Sequence, residues 1–337
     1  MTPTLAHLTV IDATGPLGAN AGTMLAALGA RVIKVAADAP QPEAHPVWDA
    51  VKQPCPARPG TPEFAALLDT ADIVLRNPGG KADGWIEGRP ALIDVVVGPF
   101  MPDGALAERP ASDLTLSARS GLTNMIGDPD RAPLRMPGAQ VYALAGIQAA
   151  TAALAALAMR GRTGKGQRVL VSALQSGVHA NYRDPLVWAW TGRIGKRTGN
   201  LLVRGKSGVS QLWRCADGFV TWSLVDNPPM MRAMVKLMGE DAGELAGVEW
   251  NGLLVADLPP EQIARWEAVV AAFFLRHKRA DLAEWSSRDG LGLSYIDLPG
   301  DVLASDHLAA RGLWAEAGGV KVPRRLWVSS LDEGMTA

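Results

Sequence analysis

Three glycines follow the first apolar segment of the chain, where a phosphate-binding turn would stand. Gly15, Gly18 and Gly22 come after the β-rich run LTVID and open a helical stretch. Their spacing differs from the G-x-G-x-x-G of dinucleotide-binding turns, and no acidic residue closes the strand that follows. Close packing of a helix on a strand is therefore the favoured explanation of these glycines, and NAD or FAD binding is the weaker alternative.

Other common catalytic and metal-binding patterns are absent from the sequence. It has no G-x-S-x-G and no P-loop, and Cys55 and Cys215 form no C-x-x-C pair. The histidines are scattered singly rather than spaced as ligand pairs: His7, His45, His179, His277 and His307. We therefore predict no metal site, no disulfide, and two reduced thiols of the kind found in cytoplasmic proteins.

The composition is that of a globular protein with balanced charge. The chain has 337 residues, enough for about two domains, and 48% of them are hydrophobic. Lys and Arg number 33 against 34 Asp and Glu, a net charge of -1. Nucleic-acid and polybasic membrane surfaces need a clustered positive excess, so neither partner is expected. The N-terminus lacks a basic region before an apolar run, which predicts no signal peptide and a cytoplasmic protein.

The longest apolar run, Tyr142 to Met159, is long enough to raise the question of a membrane span. It consists mainly of alanine, and Gln148 and Thr151 interrupt it. Alanine contributes little transfer energy, so the run predicts a buried helix of a soluble protein. The helix should end at MRGRTGKGQ, where cations and then glycines follow the last apolar residue.

Strands alternate with helices along the first half of the chain. Residues 8–36 predict a strand, a helix and a second strand, and DIVLRN, ALIDVVVGPF and QRVLVSAL predict three further strands. ALIDVVVGPF is apolar on both faces, as a central parallel strand should be. From Thr191 the chain is rich in glycine and cations and predicts a linker or mobile loop. A hairpin turning at Asp217 and Gly218 should follow, and then two helical segments, residues 228–239 and residues 261–290.

Seven segments, in a fixed order, together resemble one protein family. They are VIDATGPLGANAGTMLAALGARVIKV, TADIVLRNPGG, VVVGPFMPDGALAERPASDLTLSARSGL, MIGDPDRAPLRMPG, ALAGIQAATAALAALAMRGRTGKGQRVLVSALQS, GNLLVRGKSGVSQLWRCADGFVTWSLV and DVLASDHLAARGLW. The sequence resembles in these segments the family III (CaiB/BaiF-like) CoA-transferases, the group that includes formyl-CoA transferase, the carnitine CoA-transferase subunit and α-methylacyl-CoA racemase.

The resemblance implies an α/β fold with a large Rossmann-like domain, a small α+β domain and an interlocked dimer. The large domain would hold residues 1–190 and 301–337, the small domain residues 211–300, and residues 191–210 a linker with the family's glycine loop. It also implies coenzyme A thioesters as substrates or ligands, with no permanently bound cofactor.

The family's chemistry uses an aspartate that attacks the acyl-CoA thioester, and by resemblance its position here is Tyr142. A phenol cannot form the mixed anhydride through which a carboxylate hands on an acyl group. The racemase branch uses a His beside an Asp, and Ser112 and Asp113 stand there. Asp128 and Asp130 lie in a turn, where acids also occur in the family. We expect Tyr142 to be a packed aromatic and Asp113 to stabilise a helix start; no other acid is preferred as nucleophile.

The CoA-binding residues implied by the resemblance are Asn77, Lys81 and Arg109, with Gly205 and Gly208 in the glycine loop. Surface charge without a ligand is the alternative interpretation of the two cations. Compared with the family, the segment after VIKV is reduced to AADAPQPEAHPVWDAVKQPCPARPG, and the usual C-terminal Gly-Glu segment and last helix are missing. The chain is thus expected to be a shortened member without the catalytic aspartate.

Three hypotheses about function follow. The first is a family member with impaired or redirected catalysis that still binds acyl-CoA, as a homodimer or as the silent subunit beside a competent paralogue. The second is an active CoA-transferase or CoA-ester isomerase that uses a non-standard acid. The third is a binding or scaffold protein without catalysis.

Overall fold

A computed structural model of the chain describes residues 4–36, 46–79, 84–205, 207–317 and 319–324. The chain divides into two compact units. The first unit holds the residues up to Ile126, Pro133–Gly195 and the residues from Asp306 onward. The second unit holds Gly127–Ala132 and Lys196–Ser305.

The first unit is built on a six-stranded parallel sheet. Its strands are β1 (Thr9–Ala13), β2 (Arg31–Val35), β3 (Gln53–Cys55), β4 (Ile73–Arg76), β5 (Ile93–Gly98) and β6 (Arg168–Ser172). They lie in the order β3-β2-β1-β4-β5-β6, and every neighbouring pair is parallel. The strand order reverses between β1 and β4, as in doubly wound sheets. The predicted α/β class is confirmed.

Strands β4 and β5 are buried along their whole length, and β1 is buried in its centre. Apolar side chains such as Val10, Ile73 and Val95 form the core on one face, and Ile11 and Val74 belong to a second apolar cluster. Uninterrupted apolar runs are typical of parallel strands covered by helices on both faces. The prediction of a central strand at ALIDVVVGPF is therefore confirmed.

Helices connect and cover these strands in the first 195 residues. They are α1 (Pro16–Ala27), α2 (Pro46–Asp49), α3 (Pro62–Asp69), α4 (Asp113–Arg119), α5 (Gln140–Thr163), α6 (Ala173–Ala180) and α7 (Arg183–Thr191), with a 3-10 turn at Leu122–Met125. Helix α3 begins at the sequence signal for it, because the Thr61 side chain accepts a hydrogen bond from the Phe64 N–H and Pro62 stands in the first turn.

Helix α5 is the predicted alanine-rich helix, and it packs closely on α1. A Cβ at Gly146 would lie 2.6 Å from the Asn20 Cβ, so only glycine allows this approach. The helix ends at Gly164, after Arg160 and Arg162 in its last turn. It is long and apolar enough to span a membrane, with a mean hydropathy of 1.7. However, its alanine face (Ala145, Ala149, Ala153) lies in the core of the first unit.

The second unit combines short antiparallel strands with helices. Its elements are β7 (Leu201–Arg204), β8 (Ser207–Ser210), β9 (Leu212–Cys215), β10 (Gly218–Thr221), α8 (Pro228–Met238), α9 (Pro260–Phe274), α10 (Arg279–Asp289), β11 (Ser294–Tyr295) and α11 (Pro299–Ala304), with 3-10 turns at Gly239–Gly247 and Val255–Asp257. Strands β9, β10 and β11 form one antiparallel sheet, and β7 pairs with β8. The core is rich in aromatic and methionine side chains.

Three sequence-based expectations are corrected here. The predicted linker at residues 191–210 contains the β7–β8 hairpin, since Val209 is buried and Leu201 pairs with Ser210. The predicted β9–β10 hairpin is present, but its two-residue turn is Ala216-Asp217, one residue earlier than expected. The predicted second helical segment is broken between α9 and α10, where the Arg279 N–H donates to Asp217 Oδ1 at 2.8 Å.

The chain then returns to the first unit. Helix α12 (Asp306–Ala310) is followed by β12 (Trp314–Ala317) and β13 (Val320–Pro323), which pair antiparallel.

Candidate functional site

A cavity of about 600 Å³ opens at the carboxyl edge of the parallel sheet in the first unit. Its walls are the residues that follow three strands: residues 15–17 after β1, residues 77–79 after β4, and Pro99, Phe100 and Pro102 after β5. Residues 107–111 and Tyr142 complete the lining. Because the strand order reverses between β1 and β4, the connections leave in opposite directions and expose a crevice there. The topology therefore places the cavity where doubly wound sheets bind their ligands.

Tyr142 lies in the first turn of α5, with 7% of its surface exposed. The residue before this helix, Ala139, offers no side-chain cap. Instead Asp113, in the first turn of α4, accepts hydrogen bonds from the Val141 and Tyr142 N–H groups at 2.8 and 3.1 Å. The predicted role of Asp113 at a helix start is confirmed, and the helix that it caps is α5.

The cavity wall carries one cation and one carboxylate among its described residues, Arg109 and Glu108. Both side chains are exposed, and neither makes a hydrogen bond or an ion pair with another described residue. The rest of the wall is glycine, proline, alanine, Leu17 and Phe100, beside Asn77 and Tyr142. The cavity thus offers an apolar surface with a positive group free to meet an anion.

The side chain of Asn77 is engaged by the backbone. Its Oδ1 accepts from the Gly15 N–H at 2.6 Å, and its Nδ2 donates to the carbonyls of Leu17 and Val97, each at 2.8 Å. One amide therefore joins the ends of β4 and β5 to the segment that follows β1.

A buried charged network lies behind the same segment, and sequence reasoning missed it. Asp12 is fully buried; its Oδ2 is 2.6 Å from Lys52 Nζ and its Oδ1 is 3.2 Å from Lys34 Nζ. Lys52 also lies 2.7 Å from Asp49 Oδ1. Burial by itself would raise the pKa of Asp12, but Lys52 and Lys34, with the Thr14 hydroxyl, hold that pKa below its usual value.

The glycine run of α1 makes room for this network. A Cβ at Gly22 would lie 2.6 Å from Asp12 Oδ2 and 3.0 Å from Lys52 Cε. The favoured explanation of the three glycines, close packing of helix on strand, agrees with this contact. The sequence signal for the network was a charged residue inside an apolar central strand, Asp12 in LTVID.

Comparison with known proteins assigns the family. The sequence model of CoA-transferase family III matches residues 56–331 of this chain. The chain belongs to CoA-transferase family III.

Relatives in this family share about a quarter of their residues with the chain. The succinyl-CoA:(R)-benzylsuccinate CoA-transferase subunit BbsE of Thauera aromatica is 27% identical over 90% of this chain and 82% of that protein. The succinate–glutarate CoA-transferase of Agrobacterium fabrum is 26% identical over 92% of this chain and 84% of that protein. The crystal structure of a CaiB/BaiF family protein from Brucella suis has the same fold, with a TM-score of 0.83, 24% identity, and coverage of 98% of this chain and 93% of that one.

Not all the residues expected from the family resemblance meet at this cavity. Asn77, Arg109 and Tyr142 line it together. Gly205 and Gly208 belong to the β7–β8 hairpin of the second unit, and Lys81 lies outside the described residues. Asp128 and Asp130 are in the part of the second unit that precedes Pro133. Ser112 caps α4 in a capping box with Thr115.

Among the described residues, no His, Cys, Asp or Lys side chain lines the cavity. No three His, Cys, Asp or Glu side chains come together as metal ligands within the described ranges. Cys55 is a half-buried free thiol in β3 and Cys215 a buried free thiol in β9.

Proposed function

We propose that this family III CoA-transferase homologue binds acyl-CoA thioesters in the cavity at the β1–β4 reversal and that its catalysis is impaired or redirected. The observation that carries the proposal is Tyr142 in the cavity wall. By resemblance, this is the position of the nucleophilic aspartate.

The chemical argument concerns what a phenol can do there. In the family's route a carboxylate oxygen bonds to the thioester carbon and CoA thiolate leaves, giving a mixed anhydride. The thiolate then attacks the side-chain carbonyl of the anhydride, releases the acid, and leaves an enzyme-bound CoA thioester. A phenol has a pKa of about 10 in water and no carbonyl to receive the thiolate, so Tyr142 ends this route.

Arg109 is the proposed contact for a negative group of the ligand. Lys34 and Lys52 are held by Asp12 and Asp49 and are not available to it. Asn77 was expected to contact CoA, but its amide is engaged by the backbone. A guanidinium suits a phosphate of CoA and a free carboxylate of the acyl group equally well.

Succinyl-CoA is the acyl donor to test first, because the relatives from Thauera and Agrobacterium are named for succinyl or succinate transfer. We propose a dicarboxylic acyl group, whose second carboxylate would pair with Arg109. Arg109→Gln should weaken succinyl-CoA binding more than acetyl-CoA binding; equal losses would assign Arg109 to the CoA phosphates.

A second subunit is proposed as a partner, either another copy interlocked with this chain or a competent paralogue. Large apolar side chains on and after α7 are strongly exposed, with Trp188 at 59%, Trp190 at 84% and Ile194 at 70%. A helix with large apolar side chains exposed on more than one face is typical of a segment that a partner chain covers. The Thauera relative is a named subunit, which favours a heteromer. Copurification from the native host with a larger family member would support the heteromer, and a strict homodimer would contradict it.

We place the protein in the cytoplasm.

An active transferase with another acid is the second candidate function. Glu108 favours it, as the one carboxylate among the described residues that line the cavity. Its oxygen could attack the thioester in the same two steps that an aspartate performs.

The deciding experiment mixes the full-length protein with succinyl-CoA and hydroxylamine and maps the products by mass spectrometry. We expect CoA binding in calorimetry but no hydroxamate on any Asp or Glu. A hydroxamate at residue 108 that disappears in Glu108→Gln would establish the second candidate and overturn impaired catalysis. Absence of CoA binding would contradict both candidates and favour a scaffold protein.

Tyr142→Asp separates two losses expected from the sequence, that of the nucleophilic aspartate and that of part of the segment after β2. If the shortened segment after β2 also matters, this substitution alone should not restore transfer. Full transfer activity in Tyr142→Asp would show that only the nucleophile had been lost.

A further inference from the structure

Residues 14–17 form a short segment, of which Gly15 to Leu17 line one wall of the cavity. The segment is held by side chains of β1, of β2 and of the residue that follows β4. It follows β1 directly and leads into α1. Leu17 does not have helical backbone angles, so the regular hydrogen bonds of α1 do not hold this first stretch. Its position must therefore come from the groups around it.

The start of the segment is held by the buried charged network. Asp12 Oδ1 accepts from the Thr14 N–H at 2.9 Å and from the Thr14 hydroxyl at 2.6 Å. Lys34 Nζ donates to the Thr14 carbonyl. These contacts fix the residue next to the strand but reach no further along the wall.

The half-buried part of the wall, Gly15 to Leu17, is held by Asn77. The side-chain oxygen of Asn77 accepts a hydrogen bond from the Gly15 N–H. The two N–H groups of its amide donate to the carbonyls of Leu17 in the wall and of Val97 in β5. An amide has two donors, so none is left for a ligand. A ligand that accepted a hydrogen bond from Asn77 would have to break one of its bonds to the backbone.

We propose that Asn77 is a positioning residue, which sets the shape of the Gly15–Leu17 wall and does not itself bind the acyl-CoA. The ligand contacts the Gly15–Leu17 wall, whose position Asn77 fixes. The identity of that ligand rests on the proposed function, whereas the role of Asn77 can be tested on the protein without CoA.

The test is amide hydrogen exchange at Gly15, read by mass spectrometry on short peptides that cover residues 13–18. In Asn77→Ala the Gly15 N–H loses its acceptor, and its exchange should rise by about tenfold. In Asn77→Asp a carboxylate oxygen remains to accept from Gly15, but no donor remains for the Leu17 and Val97 carbonyls. Protection at Gly15 should therefore fall between the values of the wild type and of Asn77→Ala. Exchange in β1 and β5 should be unchanged in both variants.

Asn181→Ala is the matched control. Asn181 is buried in the first unit, whereas Asn77 is half-buried, and it too donates to a backbone carbonyl, that of Ser120, away from the cavity wall. Its loss should lower the melting temperature and leave Gly15 exchange as it is.

Several results would overturn the proposal. Unchanged Gly15 exchange in Asn77→Ala would mean that the amide does not hold the wall. A uniform rise over the whole sheet would mean that Asn77 supports the fold in general. Loss of Gly15 protection when CoA is added to the wild type would mean that the ligand takes the amide. If the wild type binds no CoA, the proposed function fails while the exchange of the variants still decides the role of Asn77.

Discussion

The two units of the chain bury different kinds of side chain. Besides its apolar core, the described part of the first unit buries five charged side chains: Asp12, Lys52, Arg76, Asp94 and Asp113. Among the described residues of the second unit, the buried polar side chains are Ser207 and Ser286. Its core is aromatic and sulfur-rich, with Trp213, Trp222 and Phe274 packed edge-on or tilted at centroid distances between 5.8 and 6.3 Å.

This contrast shows where the molecule needs defined polar geometry. A buried charge is unfavourable unless it is paired and hydrogen-bonded. In the first unit, Asp12 holds the segment after β1 and Asp113 holds the start of α5, so two of these charges support the walls of the cavity. In the described part of the second unit no buried charged side chain supports a cavity wall, and apolar packing is enough to specify its structure.

The largest expected effect comes from Asp94→Ala in the first unit. Asp94 Oδ1 lies 2.8 Å from Arg76 Nε, its Oδ2 lies 2.7 Å from Arg168 Nε, and Arg76 is 2% exposed. Without Asp94 the buried guanidinium loses the carboxylate that accepts from its Nε and Nη2, and the free energy of unfolding in urea should fall by about 3–5 kcal/mol. Asp69→Ala breaks the more exposed ion pair with Arg89 and should change the free energy of unfolding by less than about 1 kcal/mol. Similar losses in the two variants would contradict the importance of buried charge.

Met231→Ala tests the apolar second unit. Met231 is fully buried in its core, and truncation should lower the free energy of unfolding by about 3 kcal/mol through lost contacts and a cavity. Leu254→Ala removes a side chain that is 54% exposed and should stay within about 0.5 kcal/mol of the wild type. Equal effects of the two substitutions would show that this core is loosely packed.

Gly22→Ala should disturb the charged network without removing a charge. The added methyl would lie 2.6 Å from Asp12 Oδ2, and we expect a loss of about 1–3 kcal/mol in the free energy of unfolding. Gly161→Ala, in α5 with nothing within 4 Å of the added carbon, should instead raise it by about 0.5–1 kcal/mol. Changes of opposite sign in the melting temperatures of the two variants would support the prediction, and changes of the same sign would contradict it.

The pH dependence of stability tests the buried carboxylate of Asp12 in the first unit. Because the pKa of Asp12 in the folded protein is lower than the usual 3.8, its contribution to stability is complete above 3.8 and is lost as the pH falls further. The loss should reach at most about 1.4 kcal/mol per pH unit for this one proton. Urea unfolding between pH 5 and pH 2.5 should show a shallower decline in Asp12→Asn than in the wild type; parallel curves would rule out Asp12 as the source.

Periodicity and turn residues were enough to predict much of the fold. The β1–α1–β2 unit, the central strand β5 and the alanine-rich helix α5 with its Gly164 end all follow from local patterns. The β7–β8 hairpin was missed, because four-residue strands with glycine and cations between them have too little alternation to be distinguished from a loop.

The site was predicted only in part. Tyr142, Asn77 and Arg109 came from the family resemblance, and the structure brings them to one cavity. The role of Asn77 could not be predicted, because its partners Gly15 and Leu17 are 62 and 60 residues away along the chain. The pairing of Lys52 with Asp12, 40 residues apart, was missed for the same reason.

The sequence by itself determined the class of fold, the family and the residue types around the cavity, since each of these depends on local patterns or on matching segments in order. Only the tertiary structure decided that Asn77 faces the backbone, that Asp113 caps α5, and that Glu108 and Arg109 stand with Tyr142 in one wall. The physical reason is that buried hydrogen bonds and ion pairs join residues that the sheet order brings together. Local periodicity carries no information about such partners.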